Sequence, residues 1–265
     1  MATALKAPGF VKNPTYRIVI EQSPRRVRVA FGGETVADST RALLLLEQKH
    51  LPVYYFPVAD VRMDLMAPTD HRTHCPYKGD ASYWTIAVGD RSAENAVWGY
   101  KDPFEECLPI KGTVAFYWNR VEHWYEEDEE VFVHPRDPYK RVDAILSHRP
   151  VEVVLGGETV AKSDRAHFLF ETGLPTRYYI PEEDVRMDLL SPSGTQSRCP
   201  YKGIARYWAA TVAGKSFPDI AWSYPEPIPE CPKIRGLIAF CNENVDEIRV
   251  DGKPVPKART KWSRD

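Results

Sequence analysis

Residues 26–116 recur as residues 150–240 at a constant offset of 124, without a gap and with about 42 of 91 positions identical. Agreement on that scale marks a duplicated domain. The shared words are GGETVA (32–37 and 156–161), DVRMDL (60–65 and 184–189), CPYKG (75–79 and 199–203) and the pair YW (83–84 and 207–208). The two copies act as a two-member alignment. Positions kept in both are candidates for what the fold or a site needs; positions that differ are free or specialised. The repeat divides the chain into an N-terminal extension (1–25), a first repeat domain (26–133), a linker (134–149), a second repeat domain (150–254) and a tail (255–265). Each repeat is long enough to bury its own core.

Within each copy the hydrophobic period is two. Val27, Val29 and Phe31 alternate with Arg26, Arg28 and Ala30, and Gly32-Gly33-Glu34 then turns the chain into Thr35-Val36-Ala37. Two glycines between alternating runs signal a hairpin, because glycine takes positive φ without steric cost. Residues 151–161 repeat the pattern, and further strands are predicted over 53–57, 83–88, 96–100 and 112–118. The segment 40–49 alone looks helical, although its counterpart, DRAHFLFETG, suits a strand. Twenty-three prolines belong in loops and at strand ends rather than in helices. The expectation is an all-β chain of two tandem domains built from short antiparallel strands, with one further strand at 16–20 covering an edge, an extended linker and a disordered tail from Lys257.

Thirty-five basic against 37 acidic residues leave a net charge of −2, which gives no basis for nucleic-acid or membrane-surface partners. No apolar run approaches the roughly 20 residues that span a bilayer, and the first ten residues lack a signal-peptide core. A cytoplasmic protein is expected. Five cysteines, an odd number, do not make a secreted disulfide framework. There is no C-x-x-C, and His74 beside Cys75 becomes Arg198 beside Cys199, so neither a metal nor any other cofactor is expected. Cys75 with Cys107, and Cys199 with Cys231, could still meet in space; as small apolar residues they need no further role.

The densest cluster of shared chemistry runs from Asp60 to Trp84. Arg62 and Asp64, two residues apart on an extended segment, point to the same side and clamp either each other or a ligand. Tyr77 and Lys78 stand beside Gly79, where a tight turn lets the backbone approach a small molecule. Tyr83, Trp84, Trp98 and Tyr100 supply aromatic surface. The second copy carries the same set as Arg186, Asp188, Tyr201, Lys202, Tyr207, Trp208, Trp222 and Tyr224. An aromatic wall with one Lys and one Arg suits a planar or anionic ligand, through stacking and charge-assisted hydrogen bonds. The plainer alternatives are an internal salt bridge for Arg62–Asp64, sheet core for the aromatics and a surface charge beside a turn for Lys78. No Ser-His-Asp or Cys-His-Asn order is shared by the copies, and GGETVA lacks the spacing and the Lys-Ser/Thr of a phosphate loop.

The string DVRMDL, followed by S/T-x-CPYKG-x-A-x-YW, then W-x-Y and I-x-G-x-V/I-A-F, resembles the family called domain of unknown function 427, and it does so over both copies. The resemblance implies a β-tent fold, two small antiparallel sheets meeting along one edge. It is similar in outline to the ligand-binding domain of cereblon and to zinc-bearing methionine sulfoxide reductases. The paired C-x-x-C motifs of the zinc-bearing relatives are missing, so metal is not implied here. Cereblon's tryptophan cage for a cyclic imide implies a similar part for the aromatics. The family also carries a nucleotidyltransferase-like label, but the Gly-Ser and paired Asp-x-Asp such an enzyme uses for its metals are absent.

Three readings follow. Each repeat binds a small molecule in a pocket walled by Tyr83, Trp84 and Trp98 and closed by Lys78 and Arg62. Alternatively the protein is an enzyme on a small metabolite, with Lys78 or Tyr77 as acid or base. Or one repeat is purely structural and props the other.

Overall fold

The computed structural model describes residues 5–263. The chain divides into two compact units, with the boundary between Asp137 and Pro138. The first unit contains β1 (Ile18–Gln22), β2 (Val27–Phe31), β3 (Glu34–Ser39), β4 (Leu43–Glu47), β5 (Val53–Pro57), β6 (Met66–Cys75), β7 (Gly79–Val88), β8 (Arg91–Tyr100), β9 (Thr113–Phe116), β10 (His123–Glu126) and β11 (Glu129–Val131). Seven of them form one antiparallel sheet in the order β1-β4-β5-β9-β8-β7-β6, and four form another in the order β11-β10-β2-β3.

The second unit repeats the plan. It has β12 (Val142–Leu146), β13 (Val151–Leu155), β14 (Glu158–Ser163), β15 (His167–Glu171), β16 (Arg177–Ile180), β17 (Leu190–Cys199), β18 (Gly203–Val212), β19 (Lys215–Ser223), β20 (Ile238–Phe240), β21 (Glu247–Val250) and β22 (Lys253–Pro254). Their orders are β12-β15-β16-β20-β19-β18-β17 and β14-β13-β21-β22. The chain is all-β with two domains of two antiparallel sheets each. The longest strands, β6 to β8, β17 and β18, reach 10 residues, where the sequence suggested short ones.

The expected hairpin joins β2 to β3. Gly32 and Gly33 both have positive φ, at 62° and 80°, the conformation that matches the twist of the two strands. A Cβ at Gly32 would sit 2.8 Å from that of Val88, so this turn also needs the missing side chain. Val27, Val29 and Phe31 then face inward. With Leu44, Phe56, Ile86, Val97 and Phe116 they fill the space between the two sheets. Burying one such side chain contributes roughly 1.5–3 kcal/mol. The other face of the seven-stranded sheet has its own cluster, Leu45, Tyr55, Ala81, Tyr83, Tyr100 and Ala115. The short 3₁₀ segment Glu105–Ile110 contributes Cys107 and Ile110 to it.

Several expectations change. The helical-looking segment 40–49 contains β4. Its leucines do not alternate with polar residues because Leu44 enters the inter-sheet core and Leu45 the outer cluster; a strand buried on both faces reads as a continuous apolar run. β6 and β17 were not foreseen, since they are mostly exposed edge strands without apolar alternation. The strand expected at 16–20 is present as β1, two residues further on, at the sheet edge beside β4. β12 falls within 134–149, expected as a linker, and pairs with β15. In the tail, over the described residues to Ser263, the Thr260 hydroxyl donates to Glu243 at 2.7 Å.

Candidate functional site

Between β6 and β7 the chain turns through Pro76-Tyr77-Lys78, and the Lys78 amide donates to the Cys75 carbonyl at 3.3 Å. Gly79 closes the turn at φ +103°, with a virtual Cβ 3.3 Å from the Asp102 carbonyl oxygen. That conformation and that neighbour explain a glycine in both copies. The turn points Lys78 inward. Its side chain is 9% exposed, and Nζ donates to Glu47 Oε2 at 2.5 Å. Glu47 ends β4, and its second oxygen accepts from the Tyr16 hydroxyl at 3.0 Å. Tyr16 is pushed up to about 12 by burial first and by Glu47 second.

The second unit reproduces the pair. Lys202 is buried and donates to Glu171. Burial pulls the Lys202 ammonium down, but its neighbours Cys199 and Glu171 outweigh that and raise it. Residue 140, the repeat-equivalent of Tyr16, is lysine, and its Nζ lies 3.9 Å from the second oxygen of Glu171. One carboxylate thus serves a lysine and a tyrosine in the first unit, and two lysines in the second.

Aromatic rings surround the pair. Tyr55 is buried on β5, and its hydroxyl accepts from Trp98 Nε1 at 3.3 Å; Tyr179 and Trp222 repeat the bond at 3.1 Å. Burial raises Tyr55, Tyr100, Tyr179 and Tyr224 well above the ordinary tyrosine value. Tyr83 shares a hydrogen bond with Thr73 at 2.7 Å, and Tyr207 one with Ser197 at 3.0 Å. Trp98 is half-buried, with the Tyr117 ring centroid 4.4 Å away. Cys107 lies beneath, its thiol pushed up to about 11 by burial, with the Lys78 charge acting in the opposite direction. All five cysteines are free thiols. A protonated, buried thiol is a poor nucleophile.

The expected constellation divides in two. Lys78, Tyr83, Trp98 and Tyr100 share the outer face of the seven-stranded sheet, as do Lys202, Tyr207, Trp222 and Tyr224. Trp84 and Trp208 turn the other way and pack against the inter-sheet core. Neighbours on a strand point to opposite faces, so YW cannot form one wall. Arg62 and Asp64 also leave the group. Asp64 sits in a 3₁₀ turn, Met63–Leu65, that follows β5. The two side chains bind each other through bonds of 2.9 and 2.7 Å, about half exposed. Arg186 and Asp188 do the same at 2.8 and 2.7 Å. These are exposed internal salt bridges, and Arg62 does not close a pocket over Lys78. Tyr77 is committed as well, its ring stacked on Tyr16 at 4.1 Å with Phe10 edge-on at 5.0 Å. In the second unit Lys140 Nζ lies 5.6 Å from the centre of the Tyr201 ring.

Sequence reasoning missed Glu47 and Glu171. The signal was present: the acid is kept at the same offset while both its neighbours change, Leu46 and Gln48 against Phe170 and Thr172. Among the described residues no group of three or more His, Cys, Asp and Glu side chains is placed to hold a metal ion. No helix is long and apolar enough to cross a membrane.

The model of one family, Domain of unknown function (DUF427), matches twice, over residues 19–127 and 143–251. The chain belongs to this family, in two tandem copies. The matched spans run from β1 to the end of β10, and from β12 to the end of β21. Both therefore include the Lys78–Glu47 and Lys202–Glu171 pairs, while Tyr16 and Lys140 lie just outside the matched spans. A search of the curated proteins returns no match.

Proposed function

We propose that each DUF427 unit is a small-molecule-binding module whose ligand lies on the outer face of the seven-stranded sheet, over Trp98 and Tyr83 in the first unit and over Trp222 and Tyr207 in the second. One observation carries the reading. Both units hold the same buried Lys–Glu pair beneath the same Tyr and Trp side chains, on one face. The Lys–Glu pair that both units share is neutral and does not itself select an anion, with Lys140 adding a positive charge in the second unit alone. A planar, neutral, polar heterocycle fits the shared face better, stacked on the half-buried indole.

The enzyme alternative has one observation in its favour: a lysine and a carboxylate withdrawn together from water are groups that can hold a proton for transfer. Tyr77, the other acid–base candidate, has its ring stacked on Tyr16. The third reading, a purely structural repeat, predicts a response in one unit alone.

The test uses the indole Nε1–H NMR signals of Trp98 and Trp222, assigned with Trp98→Phe and Trp222→Phe. Planar neutral heterocycles should shift them saturably, and inorganic phosphate should not. The proposal fails if no heterocycle moves either signal. Chemical conversion of a bound compound would move the assignment to the enzyme reading.

A further inference from the structure

The second unit carries a group on its outer face that the first unit lacks. Arg177, on β16, replaces Val53, and Glu243 replaces Asn119. Both are buried, and the guanidinium binds the carboxylate through two bonds of 2.6 and 2.7 Å. The guanidinium carbon of Arg177 lies 5.5 Å from the centre of the Trp222 ring and 5.8 Å from that of Trp262. Arg177 therefore bridges a tryptophan of the proposed binding face and a tryptophan of the C-terminal segment.

Side-chain contacts hold that segment. The Thr260 hydroxyl donates to Glu243 Oε1 at 2.7 Å, and the Asn244 side-chain amide donates to the Trp262 carbonyl at 3.1 Å. Lys261 lies 5.0 Å from the ring of Trp262, which is itself 45% exposed. A cation between two indoles gives a favourable but modest attraction. A segment outside the sheets, held through side-chain contacts of this kind, opens more readily than sheet core.

We propose that Trp222, Arg177 and Glu243 form a binding site for an aromatic residue preceded by a hydroxyl donor, Thr-x-Trp, and that the chain's own Thr260–Trp262 occupies it as a displaceable latch. The site recognises the indole through the Arg177 guanidinium and the hydroxyl through Glu243. The first unit, with valine and asparagine at these positions, has no such site. A segment of the same chemistry from outside competes with the latch. The proposal rests on the outer face being the binding surface, but its test is separate.

The experiment compares the full chain with a chain ending at Pro256. The probe is a synthetic peptide of residues 257–265, followed at the Trp222 indole signal. The shortened chain should bind the peptide at least tenfold more tightly than the full chain does, with the Trp222 signal shifted and the Trp98 signal still. A peptide carrying Trp262→Ala should lose that binding. Where the shortened chain does not fold, full-length Trp262→Ala takes its place and should also bind the native peptide more tightly than wild type. Equal binding to opened and closed chains, or binding that leaves Trp222 unmoved, overturns the proposal. Peptide binding at Trp222 in a protein in which neither Trp98 nor Trp222 answers to any heterocycle would leave the latch standing and remove the small-molecule reading.

Discussion

The two units present the same lysine on the same turn to the same carboxylate, yet they surround that pair differently. In the first, position 16 is tyrosine and completes the glutamate with a neutral hydroxyl. In the second, position 140 is lysine and brings a second positive charge. Further along the same face the first unit has Val53 and Asn119 where the second has the buried Arg177–Glu243 pair. What both copies keep is a charge-neutral pair under an aromatic surface. What differs is the electrostatics around it, and that is where the copies have specialised.

Breaking the shared pair should have the largest effect. A buried ion pair is weak evidence for net stabilisation, but removing one partner leaves an uncompensated charge and costs about 3–5 kcal/mol. Glu171→Gln leaves Lys202 and Lys140 without their carboxylate, so its loss belongs near the top of that range. Glu47→Gln falls lower, because the new amide still accepts from Tyr16. Denaturant unfolding followed at the tryptophan signals of each unit measures both. Equal losses would show that position 140 adds nothing, and adding Lys140→Tyr to Glu171→Gln should recover the difference between the units.

Glu243→Gln comes next. It strips the charge from the partner of Arg177 and should destabilise the second unit by about 3 kcal/mol, leaving the unfolding of the first unit where it was. A matching shift in the first unit would mean that the pair is not local to its own face.

Acid separates the units by a smaller margin. Burial alone would raise Glu243, but the Arg177 and Thr260 hydrogen bonds hold it at about 2, below the ordinary 4.5. A depressed carboxyl contributes stability that is full above its unfolded value and disappears as the pH falls through its folded value. The contribution of Glu243 is therefore lost between about pH 4.5 and pH 2. Asp60 and Asp184 are lowered alike by their arginines, as are Asp64 and Asp188, so they cancel in the comparison. Asp38 in the first unit and Glu152 in the second are each lowered by basic partners. Glu243 is left over, and the second unit should lose stability faster in that window. Parallel loss in the two units would sink this account. Glu243→Gln should abolish the difference.

The duplication made the architecture legible. It gave two domains, strands of period two and a glycine hairpin, because alternation and turn chemistry are local properties. It could not reveal β6 and β17, whose polar edge strands carry no alternation, nor β4, whose leucines face two different cores. The site was half legible. Lys78, Tyr83, Trp98 and Tyr100 do share a face, and the Trp84 error was avoidable, since period two already places it opposite Tyr83. Glu47 was hidden because its partner is 31 residues away, across a pairing that sequence spacing does not encode. Arg62 was misplaced because the 3₁₀ turn replaced the extended segment assumed for it.

The smallest expected effect concerns that last pair. Arg62–Asp64 and Arg186–Asp188 are kept in both copies, which invites a functional reading. Their geometry argues otherwise: the partners bind each other on an exposed turn, and exposed ion pairs contribute little in water. Arg62→Ala and Arg186→Ala should leave both unfolding transitions and every heterocycle response at Trp98 and Trp222 unchanged within error. Raising the salt should not distinguish them from wild type, since screening already weakens such a pair. Loss of a heterocycle response in Arg62→Ala alone would return the arginine to the binding face. Because Arg186 has closely similar geometry, the same loss would then be expected in Arg186→Ala, and a one-sided result would make the two copies unequal at a place where their structures closely agree.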